Sequence, residues 1–452
     1  MKKSILLILF FVSFTLQAQT DVSGDQSGTW SMNGSPYHVT GEITVPQGET
    51  LIIEPGVTIN FLGHYKLTVH GQLTADGSVT DSIVFKAQNA SEGWGGIRID
   101  GSQVSTFKYC IIENGRTTGD YPDIHGGAVA LFTANAQFEH CLFRNNNADN
   151  GEDGMGGAVY AANAGSQTKF TDCKFINNHT FGEGGAIKFS GGNNVTILRC
   201  KFTGNNCKYG GGAISYYSAA GMKAAFCLFA DNYTLYSSGG AVQTLGVGNE
   251  VTFENCTFYG NSANNGDGGA VSLAYADAVF VNTIVYNNPG AYSDDVYLDI
   301  AGFAEVNYCD MPMPDGATGS NNINEDPKFI SVTGKDFRLS EDSPCIDAGL
   351  DIGYEFLGTA PDMGCFEFDP ATDVQKNNET ANIRIYPNPV TEKLFINTTG
   401  DKILSVEVLN MTGKVLEKTA QPEISFNSFK SGVYLIKVKT PKGTFTQKII
   451  KR

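Results

Sequence analysis

The chain has 452 residues, 53 of them glycine, and a formal net charge of −16. This acidity excludes nucleic acid as a partner and disfavours anionic polymers unless a cation bridges them. Ten cysteines in a chain of this length do not indicate a disulfide scaffold. The charge is uneven, because the residues from Glu379 onward carry 12 Lys and Arg against 6 Asp and Glu, a net of +6.

Residues 1–18 are typical of a secretory signal peptide. Lys2 and Lys3 precede an apolar run from Ile5 to Phe14, and Ala18 gives a cleavage end. The run is too short to span a membrane and no later segment qualifies, so we predict an exported monomer without a transmembrane segment. Residues 21–94 alternate short strands with turns and are predicted to form an N-terminal cap and the first coils of a repeat.

Residues 95–325 repeat two short phrases at steps of 27 to 31 residues. The first phrase is Gly-Gly-Ala followed by Val or Ile, and it begins at Gly126, Gly156, Gly184, Gly211, Gly239 and Gly268. The second is Cys-x-Phe, and it begins at Cys141, Cys173, Cys200, Cys227 and Cys256. Asn or Asp pairs such as Asn177-Asn178 follow the second phrase. Units of under about 32 residues with several short strands favour one coil of a parallel β-helix each, right-handed because parallel crossovers almost always are.

Each phrase then has a physical role. Alternation along a strand places Cys and Phe on the same side, which predicts an interior Cys column and an interior Phe column. The glycine pair permits positive φ and a close approach of neighbouring coils, and stacked Asn side chains predict an amide ladder. The column thiols are expected to be unbridged, because coils about 4.8 Å apart do not match the roughly 3.5–4.5 Å between Cβ atoms of a disulfide.

The Gly-Gly-Ala and Phe-x-x-Asn pattern resembles that of the polymorphic outer-membrane-protein repeats and, more broadly, pectin-lyase-like β-helices. This resemblance implies the fold, but it does not select an activity, because the fold is shared by lyases, hydrolases, adhesins and inert stalks. Residues 326–368, with Asp326-Pro327-Lys328-Phe329 and Asp362-Met363-Gly364, resemble the closing region called the choice-of-anchor Q domain. Within it we predict a disulfide between Cys345 and Cys365, since an exported, oxidising context permits one.

After a polar linker at 369–381, residues 382–452 change to short Lys-rich strands, which predict a small Ig-like β-sandwich. Their motifs resemble the type A sorting domain of the type IX secretion system, through Pro387, Asn388, Pro389, Gly413, Gly432, Tyr434 and Lys448. The resemblance implies the type IX machinery as a partner and passage through the periplasm of a Gram-negative cell to its surface or beyond. It also implies removal of this domain, with release of the body or its attachment to surface lipopolysaccharide.

The loops between each Asn pair and the next glycine pair fall at one corner of successive coils. Aromatic side chains beside carboxylates there predict a glycan-binding edge. The predicted ligand-binding residues are Tyr121, Asp123, His125, Asp149, Asp153, His179, Phe181, Glu183, Tyr209, Tyr233 and Tyr236. The competing interpretation is a solvated edge without a ligand, and Lys188 and Lys208 are interpreted as isolated surface charges.

The sequence contains no recognisable catalytic motif, and we assign no catalytic residue and no cofactor. Asp149 to Gly154 partly resembles a calcium loop, but the Glu expected near its twelfth position is Tyr160. Calcium therefore stays an open alternative there. We predict an adhesin-like or glycan-binding surface protein, and the alternative is a polysaccharide lyase or glycoside hydrolase acting at the same edge.

Overall fold

The computed structural model describes residues 19–149, 151, 153–192, 194–217, 221–293, 295–299, 301–369, 383–398, 402–410, 414–441 and 443–452. The predicted signal peptide at 1–18 and nearly all of the predicted linker lie outside the described residues. The chain divides into two units, one ending at Phe368 and the other beginning at Asp369.

The first unit is a solenoid of parallel strands with three long sheets and one short one. Strands that follow the glycine pairs form what we call the glycine sheet: Leu67–Val69, Ile97–Ile99, Val129–Phe132, Val159–Ala162, Ile187–Ser190, Ile214–Tyr217 and Val296–Leu298. The next strands along each coil form the middle sheet: Gly28–Trp30, Thr50–Ile53, Gln72–Asp76, Ser105–Lys108, Ala136–Glu139, Lys169–Thr171, Val195–Leu198, Met222–Ala225, Phe303–Asn307 and Thr318–Ser320.

Strands at and after the cysteines form the Cys-Phe sheet: Thr20–Asp25, Thr58–Phe61, Ile83–Ala87, Cys110–Glu113, Leu142–Arg144, Lys174–Ile176, Lys201–Thr203, Leu228–Ala230, Thr257–Tyr259 and Ile284–Tyr286. Two-residue strands form the short sheet: Asn147–Ala148, His179–Thr180, Asn206–Cys207, Tyr233–Thr234 and Ser262–Ala263. Four of the described strands run through a corner and join two sheets: Thr20–Asp25, Tyr37–Val45, Val242–Glu254 and Val271–Val281. One short 3-10 helix spans Met32–Gly34.

The interior columns follow from exact register between coils. Phe143 pairs with Phe175, and Phe175 pairs with Phe202, at equivalent positions of neighbouring strands. The rings of Phe143, Phe175, Phe202, Phe229 and Phe258 stack with centroids 4.6–4.9 Å apart and are fully buried. The predicted Phe column is confirmed, and the buried cysteines beside it are free thiols, as predicted. Burial raises the pKa of several of these thiols, those of Cys173 and Cys256 among them, and buried thiols of this kind behave as small apolar side chains.

The two glycines of each pair have different roles. Gly126 adopts φ +64°, a left-handed conformation that disfavours residues with a Cβ. Gly127 has an ordinary φ, but a Cβ on it would lie 2.3 Å from the carbonyl oxygen of Gly157 in the next coil. The turn therefore requires the first glycine, and the close approach of coils requires the second.

The paired Asn residues also divide their roles. The first member adopts a positive φ, as at Asn145 and Asn177, where Asn and Asp are tolerated better than most residues. The second member is buried in a ladder: the side-chain nitrogen of Asn178 donates to Oδ1 of Asn205 at 2.9 Å, and that of Asn205 donates to Oδ1 of Asn232 at 2.9 Å. The predicted ladder is confirmed, and its fully bonded amides keep a polar corner stable inside an apolar core.

The segment at 326–368 packs along the outer surface of the Cys-Phe sheet. It begins with an antiparallel hairpin, Phe329–Ser331 and Asp336–Leu339, and covers Leu228 and Ile284. The resemblance of this segment to the choice-of-anchor Q region stays a prediction.

The predicted disulfide between Cys345 and Cys365 is wrong, since both thiols are free. Cys365 lies in an apolar cluster with Leu228, whereas Cys345 lies in one with Ile284, two coils further along. Each thiol therefore packs in a different apolar cluster. The Cys345 thiol instead donates to Oδ2 of Asp310 at 3.2 Å.

The second unit contains two antiparallel sheets. One has three strands, Arg384–Tyr386, Lys393–Asn397 and Glu423–Ser425. The other has four strands, Ser405–Leu409, Val415–Thr419, Gly432–Thr440 and Gly443–Lys451. Leu394 of the first sheet and Val406 and Ile436 of the second share one buried core, which agrees with the predicted sandwich.

Candidate functional site

The loops that precede the glycine pairs form one continuous border of the solenoid, which we call the loop edge. It comprises residues 118–125, 149–155, 181–183, 208–210, 235–238 and 264–267, apart from Asn150 and Glu152, which lie outside the described residues. Backbone hydrogen bonds hold consecutive loops in register: the N–H of Tyr209 donates to the carbonyl of Gly182 and that of Tyr236 to the carbonyl of Lys208, both at 3.0 Å. These bonds tie the loops at 181–183, 208–210 and 235–238 to one another.

These loops fold back over the outward side of the glycine sheet. Outward positions of its strands are consequently buried although polar or charged: Arg98, Tyr160, Lys188, Ser215 and Gln243. Lys188 is only 5% exposed, so its interpretation as a surface charge is wrong. The strand register places Lys188 between Tyr160 and Ser215 on this covered surface.

Glu183 points inward toward this surface. Its carboxylate forms an ion pair with Lys188 and accepts a hydrogen bond of 2.8 Å from the Ser215 hydroxyl, while Lys188 Nζ donates to Ser215 Oγ at 3.0 Å. The three side chains therefore provide hydrogen-bond partners for one another. This cluster fastens the 181–183 loop to the sheet, because a buried charge is stable only when it is paired.

Asp123 fastens the first loop in the same way. Its Oδ2 accepts from Lys66 Nζ at 2.6 Å, and its Oδ1 accepts from Arg98 Nε at 3.4 Å. Burial lowers the pKa of Arg98 to about 10, and the charge of Asp123 opposes this change. The guanidinium thus remains charged at neutral pH and holds the loop.

His125 is buried beneath the edge. Its ring stacks on Tyr160 with centroids 4.3 Å apart, and its Nδ1 accepts from the N–H of Met155 at 3.2 Å. Burial first, and then the charge of Arg98, lower the pKa of His125 to about 4. The imidazole is therefore neutral at physiological pH, and it supports Tyr121, whose ring meets it edge-on at 5.8 Å.

Asp149 and His179 meet across neighbouring coils. Asp149 Oδ2 lies 3.2 Å from His179 Nε2, and the other ring nitrogen of His179 bonds to Asn206 Oδ1. Asp153 is exposed and is close enough to His125 to oppose the fall in its pKa. Within the described part of the chain, no group of three or more His, Cys, Asp or Glu has an arrangement suited to a metal ion. Calcium at 149–154 stays an untested alternative, since Asn150 and Glu152 of that loop lie outside the described residues.

Aromatic rings line the outer border of the loop edge over three consecutive coils. Phe181 meets Tyr209 edge-on at 6.0 Å between centroids, and Tyr209 lies 6.4 Å from Tyr236. Tyr209 is 43% exposed and Tyr236 58%. Lys208 Nζ lies 3.8 Å from the centroid of Phe181 and 5.2 Å from that of Tyr209. We call Phe181, Lys208, Tyr209 and Tyr236 the aromatic strip.

Two more predicted residues lie elsewhere on this side of the solenoid. Tyr233 is half-buried on the short sheet, next to Asn206 in register, and Tyr121 is 64% exposed on the first loop. Lys208 was missed as a site residue, although its position directly before Tyr209 could have indicated a cation beside the rings. Arg98 was also missed as a site residue. The signal in the sequence was a charged side chain between two apolar ones, Ile97 and Ile99, on a short strand.

A small polar pocket of about 170 Å³ lies at the first loop. Its lining side chains are Glu42, His64, Lys66, Arg98, Thr118 and Asp123. His64 Nε2 bonds to the carbonyl of Arg116 at 2.8 Å, and its Nδ1 lies 3.4 Å from the Thr118 hydroxyl. Glu42 and Lys66 come from earlier coils, so no local motif in the sequence indicates that they meet Asp123.

The sorting motif in the second unit has a structural basis. Asn388, between Pro387 and Pro389, donates from Nδ2 to the carbonyl of Lys448 at 3.0 Å and accepts from the N–H of Ile450 at 2.9 Å. Tyr434 donates to the carbonyl of Lys430 at 2.7 Å. Gly432 begins the strand that carries Tyr434, and Gly413 lies outside the described residues. The motif therefore joins the first and last strands of the sandwich.

Two family models match the chain. The model for a right handed beta helix region matches residues 37–182 and 153–310, which is more than half of the chain, and the chain belongs to this family. The handedness agrees with the prediction from crossover chirality. The model for a secretion system C-terminal sorting domain matches residues 384–452. No curated protein matches the chain.

The second match gives the route and destination of the protein. A C-terminal sorting domain of this kind directs its carrier through the type IX secretion system to the cell surface or the extracellular space. In the part of the chain that the structure describes, no helix has the length and apolar character needed to cross a membrane.

Proposed function

We propose that the solenoid is an adhesin-like protein that binds a neutral polysaccharide along its loop edge. The aromatic strip is the observation that carries this proposal. Exposed rings in a row are unusual on a soluble surface and indicate a binding site. The C–H faces of sugar rings are apolar and can pack on aromatic faces, while the rim of hydroxyls stays hydrated.

The strip is organised before any ligand arrives. Its loops are hydrogen-bonded coil to coil, and the ammonium of Lys208 attracts the faces of Phe181 and Tyr209. A preorganised surface loses little conformational entropy on binding, which favours affinity. The net charge of −22 on the residues before Glu379, from 19 Lys and Arg against 41 Asp and Glu, favours a neutral polymer over an anionic one.

Affinity electrophoresis of the purified full chain tests the proposal. Gels containing laminarin, xylan or galactomannan serve as neutral probes, and polygalacturonate serves as the acidic probe. We expect at least one neutral polymer to retard the protein, and we expect Tyr209→Ala/Tyr236→Ala to weaken binding at least tenfold. Phe303→Ala is the matched control, because Phe303 is an exposed aromatic residue on the middle sheet.

Three results would contradict the proposal. They are no retardation by any neutral polymer, equal retardation of the strip variant, and retardation by polygalacturonate alone. Incubation with the same polymers, followed by assays for new reducing or unsaturated ends, tests the alternative of a lyase or hydrolase. Turnover at the loop edge, lost in the strip variant, would replace binding by catalysis as the function.

The fate of the body after export is part of the same proposal. We expect the sorting domain to be cleaved off and the body to remain attached to surface lipopolysaccharide or to be released. Mass spectrometry of the protein recovered from cells and from medium measures this directly. Recovery of the chain with residues 382–452 intact in both fractions would contradict the expectation.

A further inference from the structure

The polar pocket at the first loop occupies the same border as the aromatic strip. Asp123 precedes Gly126-Gly127 just as Phe181 precedes Gly184-Gly185, so both lie in loops of the loop edge. Tyr121, two residues before Asp123, is exposed on the same loop. A ligand bound along the edge would therefore have access to the pocket.

The charges in the pocket are balanced. Asp123 pairs with Lys66 and Arg98, and Glu42 Oε2 accepts from the backbone N–H of Lys66 at 2.9 Å. A metal ion would meet two cations, and an anion would meet two carboxylates. Repulsion from the second pair of groups offsets attraction to the first in either case. This balance favours an uncharged ligand.

The pocket retains hydrogen-bonding capacity of both kinds. Arg98 has five N–H groups, and its contacts within the described chain are to Asp123 Oδ1 and to the carbonyls of Asp123, Ile97 and Gly126. One N–H is therefore left for a ligand. Oε1 of Glu42 accepts no hydrogen bond from any described residue. A buried donor from Arg98 and an acceptor from the exposed Glu42 in one small pocket suit neighbouring hydroxyl groups, each of which both donates and accepts.

The volume limits the size of the ligand. Pockets for drug-sized molecules hold roughly 300–1,000 Å³, whereas this one holds about 170 Å³. One sugar ring is of the right size, and a longer segment is not.

We infer that this pocket is a subsite for a single neutral sugar ring, held through its hydroxyls by Arg98 and Glu42. The inference rests on the proposed function for its biological ligand, since the ring would belong to the glycan that the strip binds. The pocket would select one kind of sugar unit, because aromatic contacts alone discriminate little between sugars.

Saturation-transfer NMR on the full chain tests this subsite with free glucose, galactose, mannose and xylose, and with glucuronate as the anionic probe. We expect transfer to at least one neutral sugar. Glu42→Gln replaces the carboxylate by an amide of the same shape, and we expect it to weaken the binding of that sugar at least tenfold. Glu54→Gln, an exposed site outside the pocket, should leave binding unchanged.

The proposal for the aromatic strip and the inference for the pocket can be contradicted separately. Transfer that persists in Tyr209→Ala/Tyr236→Ala but disappears in Glu42→Gln supports the pocket. No transfer to any neutral sugar, unchanged transfer in Glu42→Gln, or transfer to glucuronate alone would overturn the inference. Loss of polymer retardation in the strip variant without any binding of free sugars would uphold the proposed function and reject only the subsite. Binding of a free sugar without retardation by any polymer would uphold the subsite and reject the proposed function.

Discussion

The interior of the solenoid and its loop edge are built from the same repeat, yet they differ in how strictly the repeat is kept. Inside, each coil presents nearly the same side chains, and five Phe rings stack at almost constant spacing. At the loop edge each coil presents something different: Asp123, then Asp149, then Phe181, then Tyr209. The strict positions determine architecture, and the variable ones are free to determine binding.

A second difference concerns charge. The interior ladder is made of neutral amides that bond to copies of themselves. The charged groups of the loop edge instead find different partners in different coils, such as Asp123 with Arg98 and Glu183 with Lys188. Each of these two loops thus has an ion pair of its own, in addition to the backbone hydrogen bonds that join neighbouring loops elsewhere along the edge.

The largest expected effect comes from removing one interior ring. Phe202→Ala should lower the free energy of unfolding by about 3–5 kcal/mol, because it leaves a cavity between two stacked rings that cannot collapse in a regular solenoid. Denaturant unfolding followed by circular dichroism measures the change. Phe303→Ala, at an exposed ring, should stay within about 0.5 kcal/mol. Equal losses in the two variants would remove the distinction between interior and surface.

The pH dependence of stability sharpens the comparison at His125. Its folded pKa of about 4 lies below the unfolded value of 6.5, so between these values the unfolded state binds the extra proton. The free energy of unfolding therefore falls as pH drops from 6.5 to 4, by about 1–3 kcal/mol at roughly 1.4 kcal/mol per pKa unit after allowance for solvent screening. Comparing wild type with His125→Asn isolates this contribution from that of buried carboxyl groups. A variant that shows the same pH slope would contradict burial of the imidazole.

The smallest expected effect concerns the ion pair that fastens the 181–183 loop to the glycine sheet. Lys188→Met leaves Glu183 without its cation and should cost about 1–2 kcal/mol, less than for a fully buried pair, because the Glu183 side chain is a quarter exposed. Lys188→Met/Glu183→Gln should recover part of this loss in a double-mutant cycle. Additive losses would show that the two residues do not interact and that the loop is held by its backbone alone.

Much of the fold could be predicted from the sequence. Cys-x-Phe and Gly-Gly-Ala at steps near 28 residues indicated a parallel solenoid and its Phe column, since only in-register stacking gives identical residues identical surroundings. The Asn ladder followed for the same reason. The disulfide between Cys345 and Cys365 failed because the segment holding them is not repetitive, and nothing in it indicated which coil each thiol would reach.

The candidate site was predicted less completely. Tyr209, Tyr236 and Phe181 were placed correctly on one edge, because their loops occupy equivalent positions in the repeat. Lys188 was misinterpreted, since the loops that bury it come from other parts of each coil. Glu42 and Lys66 could not be connected with Asp123, because the three residues come from different coils.

The sequence by itself determined the coil, its register and the direction of export, because each of these depends on short phrases that act locally or on exact copies of themselves. Only the tertiary structure decided which charges are buried, which rings remain exposed and which side chains form a pocket. Those outcomes depend on how far each loop folds back over the glycine sheet. Individual ion pairs such as Asp123 with Arg98 and Glu183 with Lys188 fasten these loops, and periodicity carries no information about them.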